Sequence, residues 1–273
     1  MTAIVSYARI SAEGLDQVWA QDGVKQARFT HWTELNAGLT NDSGLPTLKG
    51  KYFSAEPSPR FGRMDLLCKL GLGVSELCIA HAPDLTRQEV ALVGGSMLGC
   101  VEVDAQYHDT LLKGGQTGAS PALFVYTLPS MFLGEIAIKF GLRGRSSYIN
   151  TGRTSALAAL VQGARMIEKV RAPFVLVVAA EAVGPAARDL DVVERGLSGA
   201  AAWLLSSKHK GFSEFANARF GVAEGRRLTG GAEGFGLTHL QALHEALMYE
   251  SGTFFCGEGA QAISFELPAR AAK

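Results

Sequence analysis

Residues 174–180, Phe174-Val175-Leu176-Val177-Val178-Ala179-Ala180, form an unbroken apolar run. A run this short and this rich in β-branched residues suits a central strand covered on both faces. Such a strand needs a packed layer on each side. Just upstream, residues 153–170 are rich in alanine and place Leu157, Leu160, Val161, Ala164 and Ile167 at helical spacing, ending before Pro173. Ser147-Tyr148-Ile149-Asn150 precedes that helix and reads as a short strand. Strand, helix and strand in this order predict a crossover unit with parallel strands.

The remaining chain fits around that unit. Residues 3–9 read as a strand, and Val90-Ala91-Leu92-Val93-Gly94-Gly95 as a buried strand that turns sharply at its glycines. Residues 63–81 carry Met64, Leu67, Cys68, Leu70, Gly71, Val74 and Leu77 on one helical face. Pro129 to Phe140 reads as a helix that breaks at Gly141-Leu142-Arg143-Gly144. Residues 200–205 form another apolar strand, with 213–224 as its candidate neighbour, a helix over 235–248 and a closing strand over 262–267. Residues 10–62 read as a long, partly irregular excursion, with turn formers at 41–46 and 57–59. The expectation is one domain over 1–273, with a mixed, mostly parallel five-stranded sheet layered between helices.

Charge excludes some functions. With 26 basic and 26 acidic residues the formal net charge is zero, giving no electrostatic reason for nucleic acid or an anionic membrane surface. No apolar run approaches the ~20 residues of a membrane span, and no signal peptide is evident, so the expected compartment is the cytoplasm. Cys68, Cys78, Cys100 and Cys256 are irregularly spaced with no CxxC pair, which argues against zinc or a disulfide framework. No cofactor is expected.

Five segments, in order, resemble the β-ketoacyl synthases, which have the thiolase-like fold. Arg63-Met64-Asp65 matches that family's RMD. Residues 93–99, VGGSMLG, resemble its VGSGxGG turn. Pro129-Ser130-Met131-Phe132-Leu133-Gly134-Glu135-Ile136-Ala137 with Phe140-Gly141-Leu142-Arg143-Gly144 resembles PNMAAGQIAI…FGLRGP. Ala179-Ala180-Glu181-Ala182 matches the end of GGAEA, and residues 196–202 resemble GFVxGEGAG more loosely.

The resemblance implies a thiolase-like fold and places the family's TACAS motif at Thr151-Gly152-Arg153-Thr154-Ser155. There the family keeps a cysteine whose thiolate is stabilised by a helix N-terminus and takes an acyl chain as a thioester. Arg153 is no nucleophile: its guanidinium stays protonated. The sequence reading puts it in the first turn of the 153–170 helix, in an ion pair, on a carrier-arm phosphate, or in neither. The family's two C-terminal histidines also lack counterparts. Residues 229–234 resemble GHTxGAAG only weakly and hold no histidine. His239 and His244 are five apart, ~140° around a helix, so they do not share a face. His31, His81, His108 and His209 are scattered, and Ser96 and Ser155 sit in no G-x-S-x-G elbow.

These losses imply a non-catalytic subunit of the chain-length-factor type, which dimerises with an active ketosynthase in fatty acid or polyketide/aryl-polyene biosynthesis. An acyl carrier protein is the expected third partner. By the resemblance, Tyr126, Leu128, Met131, Phe132, Tyr148 and Ile149 would lie at the dimer interface and acyl tunnel. The alternatives are a divergent acyltransferase or synthase, and a homodimeric acyl- or carrier-binding module.

Overall fold

The structure, a computed structural model, describes residues 2–22, 24–82, 85, 89–169, 172–189, 198–209, 211, 213–220, 226–227, 252–256 and 263–267. In chain order its elements are β1 (Thr2–Ile10), β2 (Gly14–Gln21), β3 (Val24–His31), α1 (Leu66–Ile79), β4 (Val90–Gly95), α2 (Val101–Gly114), α3 (Pro121–Phe124), α4 (Met131–Phe140), β5 (Ser146–Ile149), α5 (Ser155–Lys169), β6 (Phe174–Glu181), α6 (Pro185–Asp189), β7 (Gly199–Ser206), β8 (Ser213–Phe220), β9 (Arg226–Arg227), β10 (Gly252–Cys256) and β11 (Ile263–Leu267).

The sheet runs β5-β4-β6-β7-β1-β8-β11-β10-β9, with β2 and β3 attached through β1. β5, β4 and β6 are parallel, as the crossover pattern predicts. β7 lies antiparallel to both β6 and β1, so the first five strands divide evenly between parallel and antiparallel pairs. The mixed α/β sheet is therefore as expected, but larger and less parallel than the sequence suggests.

Two cores sit on opposite sides of this sheet. Along β6, Phe174, Leu176, Val178 and Ala180 face α1 and α4, whereas Val175, Val177 and Ala179 face α5. β4 and β7 alternate in the same way, with Leu92 and Leu204 on the first side and Val93, Trp203 and Leu205 on the second. This period-2 alternation explains why these strands read as continuously apolar: each side chain finds a covered face. Val177 is in register with Val93 and Trp203, and Trp203 with Tyr7, whose ring lies 5.6 Å away. Gly163 brings α5 close over this row: a Cβ there would meet Val177 at 2.4 Å.

Three expectations need correction. Residues 10–62 contain the β2–β3 hairpin, in full antiparallel register from Gly14↔His31 to Gln21↔Val24. β3 is mostly exposed, so it has no apolar face for pattern reading to find. The second concerns β8, which pairs with β1 and β11 and not with β7, because both edges of β7 are taken by β6 and β1. Third, α5 begins at Ser155, leaving Arg153 in the turn before it. The 235–248 helix, His239, His244 and residues 229–234 lie outside the described residues.

Candidate functional site

α4, which follows β4, packs on the α1 side of the sheet; α5, which follows β5, packs on the other. Adjacent parallel strands whose connections leave to opposite faces open a crevice beyond their carboxyl ends, where such sheets hold ligands. The ends of β4 and β5, residues 95–99 and 149–155, form that crevice here.

Its floor is organised by Glu181, the last residue of β6 and 3% exposed. One carboxylate oxygen accepts from Ser96 Oγ and the Leu98 N–H, both at 3.0 Å; the other accepts the Met97 N–H. Ser96 Oγ in turn accepts the Gly99 N–H at 2.8 Å. Burial raises the Glu181 carboxyl to about 7, against the opposing pull of these three donors.

The turn passes this order on to β5. Tyr148 Oη donates to the Ser96 carbonyl at 3.0 Å, and Asn150 Nδ2 to the Met97 carbonyl at 3.0 Å. Burial pushes the Tyr148 phenol up to about 12. Asn150 Oδ1 then accepts the Gly152 N–H at 3.1 Å. Gly152 has φ +65°, a left-handed conformation that β-carbon-bearing residues adopt at a cost. Ser155 Oγ locks the turn by donating to the Gly152 carbonyl at 2.6 Å and accepting the Thr151 N–H at 3.0 Å. Thr151 and Thr154 hydroxyls lie 3.1 Å apart. These bonds hold the chain in a closed turn through Thr154, and regular helix starts only at Ser155. At Gly95 a Cβ would meet the Ser155 carbonyl at 2.5 Å, so the glycine lets the α5 N-terminus approach β4.

This arrangement consumes the candidate nucleophiles. Ser96 and Ser155 are buried, with hydroxyls bonded to protein groups. Arg153 is exposed at the turn. No cluster of three or more His, Cys, Asp or Glu able to hold a metal ion occurs among the described residues. No helix among them is long and apolar enough to cross a membrane.

The other candidates divide by burial. Phe132 is 0% exposed, lies against Gly71 and Gly94, and meets the Tyr148 ring edge-on at 6.3 Å. Tyr126 and Met131 are partly buried against the same core, and Ile149 packs toward α5. Leu128 is 60% exposed, beside exposed Phe124 and Val125. β5 pairs only with β4 among the described residues, so the structure brings Tyr148, Ile149 and 151–155 to one sheet edge. The organising roles of Glu181 and Asn150 were missed by sequence reasoning. A single acid ending a fully apolar strand was the available signal for Glu181, because a buried carboxylate needs donors.

A family model described as "Beta-ketoacyl synthase, N-terminal domain" matches residues 17–240. A curated relative, 3-oxoacyl-[acyl-carrier-protein] synthase 2 of Vibrio harveyi, is 28% identical over 142 residues, half of this chain and 32% of that protein. The matched segment thus spans about a third of that relative's length. Among solved structures, the ishigamide ketosynthase/chain length factor superposes with TM-score 0.69 at 14% identity, covering 97% of this chain and 98% of that one. The ketosynthase ApeO in complex with its chain length factor ApeC, from Xenorhabdus doucetiae, gives TM-score 0.63 at 18% identity, with 97% and 98% covered. At these identities the superpositions establish a shared thiolase-like fold.

Proposed function

The chain belongs to the β-ketoacyl synthase family, and from that premise we propose that it is a subunit without condensing activity that pairs with an active ketosynthase, as chain length factors do. The observation that carries this reading is Arg153, which stands where the family resemblance puts the nucleophile. A guanidinium forms no thioester, and the nearby Ser155 hydroxyl is tied into the turn. What remains is a steric function: to complete a dimer and shape the partner's acyl tunnel.

The pairing edge is β5. Its outer N–H and C=O groups have no strand partner among the described residues, and an edge of this kind seeks another strand. Exposed Phe124, Val125 and Leu128 lie on the segment leading to it and supply apolar area for an interface. Tyr126, Leu128, Met131 and Phe132 are the residues assigned to the tunnel, with Leu128 the exposed member. The full reading is one synthase-like domain over residues 1–273, acting in the cytoplasm with an acyl carrier protein in fatty acid or polyketide synthesis.

The test is co-expression with the ketosynthase encoded nearest to it, followed by sizing. Ile149→Asp should abolish a complex that Leu39→Asp, at a 96% exposed position, leaves intact. A chain that stays monomeric beside that ketosynthase refutes the pairing.

A further inference from the structure

A cavity of about 530 Å3 lies beside that crevice, where Gly99 and Cys100 after β4 and Ala182 to Pro185 after β6 meet α1, α2 and α3. Its volume is within the range of small-molecule sites. Met64, Val103, Leu123 and Val183 contribute apolar wall, and Arg63 and Lys69 bring two cations to the same space. Arg63 is exposed and Lys69 half-buried.

Two cations and three carboxylates line the cavity, so which of them still has bonding capacity, and not net charge, decides what a ligand meets. Of the carboxylates lining the cavity, Asp65 caps α1 by accepting the Leu67 and Cys68 N–H groups at 3.1 and 3.2 Å. Glu102 accepts the N–H groups of Gly184 and Ala187 at 2.9 and 2.8 Å, and that of Ala186 at 3.3 Å. Both acids are thus engaged by backbone donors at helix starts, which satisfy much of their hydrogen-bonding capacity. Asp42, at the rim, is exposed to water. Arg63 and Lys69 have no side-chain hydrogen bond or ion pair among the described residues. They are the charged lining groups left with donors to offer.

We propose that this cavity binds a small amphipathic anion, with a carboxylate or phosphate head on Arg63 and Lys69 and a hydrocarbon body against Met64, Val103, Leu123 and Val183. Two cations six positions apart that line one cavity beside the start of α1 can grip one acidic head, and the apolar wall rewards a chain over a bare ion. The inference does not depend on subunit pairing, and it is tested on the isolated full chain.

The experiment is isothermal titration calorimetry with decanoate, octyl phosphate, inorganic phosphate and decylamine. At least one of the two amphipathic anions should bind, and comparing them identifies the preferred head. Arg63→Gln combined with Lys69→Gln should weaken that binding about tenfold or more, the loss expected for charge-assisted hydrogen bonds. Ala122→Trp, at an exposed position on the lining, should block binding while leaving the thermal melt unchanged. The proposal falls if neither amphipathic anion binds, if decylamine binds as tightly, or if inorganic phosphate matches octyl phosphate. It falls equally if Ala122→Trp, with its melt unchanged, binds as the parent does. Failure of any of these leaves the β5 pairing untouched.

Discussion

Glu181→Gln isolates the buried carboxyl that orders the crevice. Burial raises this group from 4.5 to about 7, so the folded chain holds the proton more tightly than the unfolded chain does. Each tenfold gain in proton affinity corresponds to about 1.4 kcal/mol, giving roughly 3 kcal/mol in all. The contribution is fully present below pH 4.5, is lost as pH rises toward about 7, and is flat above. Glutamine does not titrate, so the variant lacks this slope. It also places an amide N–H against one of the backbone donors that now bond Glu181, at a pH-independent cost of about 1–3 kcal/mol. Urea melts of both proteins at about pH 5, 6, 7 and 8 yield the difference, in which most other titrating groups cancel. The variant should gain about 2.5 kcal/mol on the parent between pH 5 and pH 8. Parallel stability curves would show that Glu181 is not held near 7 and would refute the argument from burial.

Further expectations follow from packing and from the turn. Phe132→Ala should cost about 3–5 kcal/mol in urea melts, because it empties a fully buried site between α1 and β4. Leu128→Ala, at an exposed site, should stay within about 0.5 kcal/mol while lengthening the products of a reconstituted complex. Gly163→Val should destabilise by at least about 1–3 kcal/mol, since its side chain would drive into Val177 and Leu205. Arg153→Cys should form no condensed product from acyl and malonyl carrier thioesters when assayed by mass spectrometry.

The sequence is most legible where burial is two-sided. β4, β6 and β7 are continuously apolar because alternate side chains enter two different cores, and each was placed within a residue or two. α1 was found from its helical face and α4 from the break that follows it at Gly141; Asp65 caps the first. The β2–β3 hairpin escaped because one strand is exposed and the other buries polar Gln17, whose amide donates to the Leu77 carbonyl. Its turn nevertheless carries a local sign: Asp22 has φ +52° and is followed in sequence by Gly23, a pair favoured in two-residue hairpin turns. The start of α5 was misplaced by two residues because Arg153-Thr154-Ser155 carries no glycine or proline to mark a break before the alanine-rich stretch that opens at Ala156. Only the side-chain bonds of Asn150, Thr154 and Ser155 reveal the turn. Motif order pointed to the crevice, but Glu181 makes its bonds to residues more than eighty positions away, beyond the reach of local pattern.

The central claim, a subunit that shapes the partner's chemistry and performs none, is tested most directly by locating the acyl group. The chain is co-purified with its ketosynthase, supplied with an acyl-carrier thioester, and the acyl adduct is assigned to a subunit by intact mass spectrometry and peptide mapping. The account predicts an adduct on the ketosynthase alone. A stoichiometric adduct mapped to one residue of this chain would contradict it.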